Sequence, residues 1–362
     1  MGDSRTLALY RLLSTRLNAS GRVDRCPMEL FHIPIPAFDS LSGYPRDMRL
    51  PRSLRILGQP RARTTDGRRR VDHRASWTAQ VCAAQRAAET MLGPARRRLN
   101  DPYSRHFVHH PGLKLVLLHP LAARIFIALL ARSLPGIHDF VVLRVRYLDD
   151  VLDRAFADGI DQIVLLGAGF DTTSLRHQRA GATFFEVDVP STQHDKCCTA
   201  DTLLVGEKQS AINWVPCDFE KDRLPERLKA GGFDPARRCV VAWIGVTMFL
   251  SKDAITATLA DMATVCAPGS TIVLDYIDPD VISGSTTSPS AQRVAKTVAS
   301  NGEPYRTGYT TTDINAAVTD HGFIPEDHAA ATALQQRYCH TRAPLPAGHD
   351  WLRALTAVKK CA

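Results

Sequence analysis

Four consecutive apolar residues, Ile163, Val164, Leu165 and Leu166, run straight into Gly167-Ala168-Gly169. An apolar run this short, without alternation, describes a strand covered on both faces, as in a parallel sheet flanked by helices. The small residues that end it let backbone come close to a ligand. Helical sequence is expected to resume at Thr172. Strand, glycine turn and helix N-terminus together suit a nucleotide-cofactor site at the carboxyl edge of a sheet, although a lone Gly-x-Gly fits a plain strand-turn equally well.

The rest of the chain alternates in the same way. Strand-like runs fall at 183–187, 211–216, 239–244 and 271–277, with helical patterns at 190–205, 220–229 and 252–266 between them. Residues 280–290, rich in Ser, Thr, Gly and Pro, read as a loop; helices are expected at 291–300 and 311–321, and short closing strands at 322–325 and 352–358. Upstream, Ser76 caps a helix that ends at Gly93-Pro94, Asp101-Pro102 opens a short helix, and 113–134 is mostly helical with a break at Pro120. That apolar stretch serves either core packing or one wall of a substrate pocket. Residues 140–158 form an amphipathic helix with Val141, Val145, Leu148, Leu152 and Phe156 on one face. The fold class is α/β: a doubly wound, mainly parallel sheet. Residues 76–137 make an N-terminal helical cap and 138–362 the α/β core.

Charge is unevenly placed. Residues 1–76 hold 15 arginines, no lysine and 7 acidic residues, leaving 30 basic and 30 acidic side chains in the remaining 286. Residues 1–75 lack sustained periodicity and read as a basic, disordered tail. A neutral body argues against a phosphate-tracking groove, so no nucleic-acid partner is expected. The stretch 113–134 is interrupted by Lys114, His119, Pro120, Arg124 and Arg132, short of the roughly 20 clean apolar residues of a membrane span. Nine scattered cysteines without a Cys-x-x-Cys pair suggest reduced thiols and a cytoplasmic setting. Cys197-Cys198 reads as helix lining, and no metal site is expected.

Thr172 stands where the dinucleotide fingerprint would put its third glycine. That glycine serves a pyrophosphate-binding helix, so its absence disfavours NAD and favours S-adenosylmethionine. Asp188 lies about 20 residues past the glycines, where an acid accepts hydrogen bonds from both ribose hydroxyls. Asp218 ends the third strand, where an acid accepts from an adenine amino group; a solvated loop aspartate explains it equally well. Arg144 falls inside the apolar stripe of the 140–158 helix. A guanidinium there needs an anion, either a core carboxylate or a carboxylate of the cofactor.

Several runs resemble the leucine carboxyl methyltransferase family of class I S-adenosylmethionine-dependent methyltransferases, in its bacterial and polyketide O-methyltransferase branch. They are Arg86-Ala87-Ala88-Glu89, Asp101-Pro102-Tyr103, Arg144-Val145-Arg146-Tyr147-Leu148-Asp149-Asp150 and Leu166-Gly167-Ala168-Gly169-Phe170-Asp171-Thr172-Thr173. Further on come Phe185-Glu186-Val187-Asp188-Val189-Pro190 with Lys196, Gly245-Val246-Thr247-Met248-Phe249-Leu250, Asp275-Tyr276 and Gly302-Glu303-Pro304. The resemblance implies a seven-stranded sheet with its last strand antiparallel. It implies that Arg144, helped by Arg86, holds the methionine carboxylate and that Gly167, Ala168 and Gly169 line the methionine portion. Asp188 would hold ribose, and Asp218 with Phe219 adenine.

The chain departs from the family at Ile244, where a glutamate is usual, and at Phe249, where tyrosine is usual. A lost charge-assisted hydrogen bond costs about 1.5–3 kcal/mol. The implied activity is methyl transfer to oxygen of a small molecule or a carboxyl group. The alternatives are a weak or inactive cofactor-binding homologue and an NAD-dependent oxidoreductase. A carboxylate acceptor needs no general base; an alcohol or phenol would need a histidine or tyrosine, and no residue is assigned that role. Tyr276 and Tyr305 stand at candidate positions, with packing as their simpler role.

Overall fold

The 163–166 run is apolar throughout because both of its faces are buried. In the computed structural model, Ile163 and Leu165 point into one core and Val164 and Leu166 into the other. The structure describes residues 76–203, 210–339, 345 and 348–361, all within the unit Pro60–Ala362. The basic stretch 1–75 lies outside the described residues.

Helices come first: α1 (Trp77–Thr90), a 3-10 turn at Ser104–Phe107, α2 (Pro111–Val116), α3 (Pro120–Ser133) and α4 (Ile137–Ala157). Strands and helices then alternate through β1 (Gln162–Leu166), α5 (Thr173–Arg176), β2 (Thr183–Asp188), α6 (Pro190–Leu203) and β3 (Ala211–Pro216). They continue with α7 (Leu224–Ala230), β4 (Cys239–Trp243), α8 (Lys252–Val265) and β5 (Thr271–Ile277). The last elements are α9 (Pro279–Ser283), α10 (Pro289–Ser300), α11 (Thr311–Asp320), β6 (Phe323–Ala330), α12 (Ala331–Tyr338) and β7 (Leu352–Lys359).

The seven strands form one sheet in the order β3-β2-β1-β4-β5-β7-β6. Strands β1 to β5 are parallel, and β7 runs antiparallel to both β5 and β6. One face packs on α4 and α12; the other packs on α7, α8 and α11. Fully burying an aliphatic side chain contributes about 1.5–3 kcal/mol, so the strand interiors hold both helical layers in place. The chain leaves β1 toward β2 and β3, then returns to β4 on its other side. That reversal opens a crevice at the carboxyl ends of β1 and β4, where ligands of such sheets bind.

Four sequence expectations are corrected. Residues 280–290 are not a continuous loop, because Pro279 at the first helical position and Gly284 (φ 79°) bound the helix α9. The strand expected to end at Pro325 continues to Ala330. It forms the edge of the sheet, with an irregularity between Pro325 and Asp327, and proline is tolerated at such an edge. The helix expected from Thr172 is a single turn, Thr173–Arg176. The helix expected after Asp101-Pro102 is only the 3-10 turn, where Asp101 accepts from the Ser104 N–H at 3.0 Å.

Candidate functional site at the glycine turn

The turn after β1 depends on glycine. Gly167 has φ 61° and Gly169 φ 44°, both in the left-handed region that side chains disfavour. A Cβ on Gly167 would also lie 2.4 Å from Val246 Cγ2. Gly167→Ala is therefore expected to destabilise the protein by about 1–3 kcal/mol. Adding Val246→Ala should recover part of that loss, as read from thermal unfolding of the single and double variants. A small recess, partly open to solvent, sits here between β1 and β4. It is lined by Leu165, Leu166, Gly167, Ala168, Asp171, Ala242 and Ile244.

Asp188 ends β2 beside this turn. Its Oδ2 accepts the Gly169 N–H and its Oδ1 accepts the Val189 N–H at 2.7 Å. Burial pushes its carboxyl up from the ordinary value, against the pull of those two N–H groups. The turn is stitched to β2 by Ala168 N–H to the Val187 carbonyl, and β2 to β3 by Cys217 N–H to the Asp188 carbonyl. Asp218 thus lies one strand beyond Asp188. Its carboxylate accepts from Glu220 N at 3.0 Å and from Lys221 Nζ at 2.7 Å, so it shapes its own loop. Phe219 follows it, half-buried, with its ring 6.4 Å from that of Trp243.

Arg144 lies on the buried face of α4, as the stripe predicted, and its partner there is a core carboxylate. Nη1 donates to Asp275 Oδ2 at 2.5 Å, while Asp275 Oδ1 accepts the Gly245 N–H at 2.6 Å. Burial pushes the Asp275 carboxyl up from its usual range, and Arg144 opposes that rise. Gly245 is needed here, since a Cβ would lie 3.2 Å from Arg144 Nη2. The next residue, Val246, touches Gly167 and so connects this ion pair to the glycine turn. Arg144 Nε is buried and makes no hydrogen bond.

Arg86, expected to help Arg144, has partners of its own. Its Nε donates to Asp101 at 2.9 Å and its Nη2 to the Phe170 carbonyl at 2.5 Å. Asp101 also accepts from the Thr172 hydroxyl at 2.7 Å. Arg86 therefore clips the cap to the far side of the glycine turn. Thr172, which fills the place of the third fingerprint glycine, is part of that clip.

Three further anchors escaped the sequence reading. Lys196 is buried and pairs with Glu186 at 2.5 Å, and its Nζ also donates to the Ala168 carbonyl at 3.3 Å. A cation is thereby held under the turn. Glu303 accepts the N–H groups of Trp77 and Thr78 at 2.9 and 3.0 Å, a carboxylate at the positive end of α1. Asp275, quoted above only as part of a motif, is the Arg144 counter-ion. Their presence in quoted runs was the available signal; nothing local assigned them partners. Cys197 and Cys198, taken above as helix lining, have their sulfur atoms within 4.8 Å of each other and of a ring nitrogen of His194 on α6.

Tyr276 is occupied by Thr311 at 3.2 Å and His328 at 3.1 Å, on the far core. Tyr305 packs on Phe249, ring centroids 5.2 Å apart, and burial pushes its phenol well above the ordinary value. Neither is placed to take a proton near neutral pH.

Known proteins are similar to this chain in sequence and in fold. A Bacillus subtilis protein assigned as an S-adenosyl-L-methionine-dependent methyltransferase is 27% identical over 222 residues, 60% of this chain and 71% of that protein. A Mycobacterium tuberculosis protein with the same assignment is 31% identical over 202 residues, 55% of this chain and 63% of its own length. A crystal structure of an assigned methyltransferase from Thermobifida fusca superposes with a TM-score of 0.50 at 16% identity, covering 81% of this chain and 97% of that one. At that identity the likeness establishes the fold alone. The family model for leucine carboxyl methyltransferase matches residues 79–263, just over half of the chain. Arg86, Arg144, the glycine turn, Asp188 and Asp218 all fall inside that span, and the chain belongs to the leucine carboxyl methyltransferase family.

Proposed function

We propose that this S-adenosylmethionine-dependent methyltransferase transfers its methyl group to oxygen, with a carboxyl group on a small molecule as the acceptor. The observation that carries the reading is the meeting of Gly169 and Asp188 at the carboxyl ends of β1 and β2, beside the recess that Gly167 and Ala168 line between β1 and β4, with Asp218 one strand further along. The residues present suit the cofactor. Two left-handed glycines expose backbone, Asp188 offers carboxylate oxygens for ribose hydroxyls, and Asp218 with Phe219 offers an acceptor and a ring edge for adenine. Arg144, with its buried and unused Nε, is the cation for the amino-acid end. When bound, S-adenosylmethionine supplies a methyl group already activated by a positive sulfur.

The chain is left to align the reactants and exclude water, and alignment can contribute about 7–11 kcal/mol. A carboxylate acceptor is nucleophilic without a base. Tyr276 is hydrogen-bonded elsewhere and Tyr305 is held protonated, which favours a carboxylate over a phenol. Titration calorimetry of the full chain with S-adenosylhomocysteine and with NAD tests the cofactor; binding of NAD alone would overturn the reading. A panel of carboxylic acids and phenols tests the acceptor, with ester formation expected and methylation of phenols alone the opposing result.

Ile244 supports a second reading, weak cofactor binding. It lines the recess at the position where the family resemblance implies a glutamate. Ile244→Glu is expected to tighten S-adenosylmethionine binding, by up to about 10- to 150-fold if one charge-assisted hydrogen bond is regained. Unchanged calorimetric affinity would show that this position does not limit binding.

A further inference from the structure

We propose that the outward face of α2 and α3 docks on an anionic lipid bilayer. The inference does not rest on methyl transfer. Among the described residues six large hydrophobic side chains are exposed, and four of them fall within eleven residues of the cap. They are Leu115 at 64%, Leu118 at 63%, Leu121 at 47% and Ile125 at 41%. Helical spacing puts Leu121, Arg124 and Ile125 on one face of α3, with Lys114 and Leu115 exposed on α2. Leu113, Leu117, Ala123, Phe126 and Ile127 are buried beneath them, so both short helices are held against the protein by their other side.

Charge selects the occupant. Residues 102–138 contain no aspartate or glutamate but include Arg105, Lys114, Arg124 and Arg132, so this segment is basic within a body whose 30 basic and 30 acidic side chains balance as a whole. Exposed apolar side chains on a segment whose own charged residues are all cations match the interfacial zone of a bilayer, where hydrocarbon lies below and anionic headgroups surround. A second copy would set the same cations against each other across an isologous contact. Neither helix can span the membrane: α2 has 6 residues and α3 has 14, and no single described helix is long and apolar enough to cross one. The face therefore lies on the bilayer. The cap links this face to the glycine turn through α1, whose Ala79 Cβ would lie 3.6 Å from a Cβ on Gly169.

Co-sedimentation of the full chain with vesicles of phosphatidylcholine alone, and with added phosphatidylglycerol, tests the proposal. Binding is expected only with phosphatidylglycerol present and should fall as salt is raised. Leu118→Ser/Ile125→Ser and Lys114→Gln/Arg124→Gln should each weaken partitioning at least about tenfold, with the thermal midpoint unchanged. An environment-sensitive dye on Leu118→Cys should shift to the blue on anionic vesicles. Wild-type binding by both double variants would overturn the proposal and assign the membrane contact to the arginine-rich 1–75 stretch. Equal binding to both vesicle types, no binding at all, or a dimer dispersed by the leucine variants without lipid binding would overturn it as well.

Discussion

Asp188→Ala should weaken S-adenosylmethionine binding by about 10- to 150-fold, the equivalent of one lost charge-assisted hydrogen bond, and by more if both ribose hydroxyls use the carboxylate. The same side chain ties the glycine turn to β2 through the Gly169 and Val189 N–H groups. Removing it leaves partly buried donors unpaired, at about 1–3 kcal/mol, so a lowered thermal midpoint should accompany the lost affinity. Asp188→Asn separates the two effects. The amide keeps one acceptor for the turn but no charge, and should restore more of the stability than of the affinity. Calorimetry on the three proteins decides the matter. Undiminished affinity in Asp188→Ala would remove this carboxylate from the site and with it the strand-tip arrangement proposed for the cofactor.

The second large effect concerns Arg144 and Asp275. Arg144→Met leaves the Asp275 carboxylate buried with only the Gly245 N–H beside it, and breaking a buried pair in this way costs about 3–5 kcal/mol. Arg144→Met/Asp275→Leu removes both charges and should regain much of that stability, since an apolar pair of similar volume is often tolerated in such a place. Urea unfolding of the two variants measures the coupling. Cofactor affinity distinguishes a ligand role from a structural one. If the guanidinium meets the amino-acid end of S-adenosylmethionine, the double variant recovers stability but not binding. Recovery of both would reduce Arg144 to a support for Asp275 and the Gly245 turn.

Contacts under the glycine turn show why the site was only partly legible. Asp188 and the glycines lie 19 residues apart, and the strand-turn pattern between them states their adjacency. Arg144 could be recognised as a cation on an apolar face, but two kinds of anion satisfied that condition equally. Arg86 looked like a neighbour of the cofactor because it belongs to the same motif set. Its partners are Asp101 and the Phe170 carbonyl, a geometry that depends on how the cap docks.

The sequence by itself determined the parallel, doubly wound sheet and its glycine turn. Unbroken apolar runs such as 163–166 can be buried only where helices cover both faces. Only the tertiary structure decided which partners the carboxylates find: Arg144 meets Asp275 across 131 residues, and the Trp77 N–H meets Glu303 across 226. It also decided which half of each cap helix stays outside, leaving Leu115 and Leu118 exposed while Leu113 and Leu117 are buried. Apolar periodicity is a local property that a short window of chain carries, whereas the partner of a buried ion depends on strand order and cap docking, which no local pattern encodes.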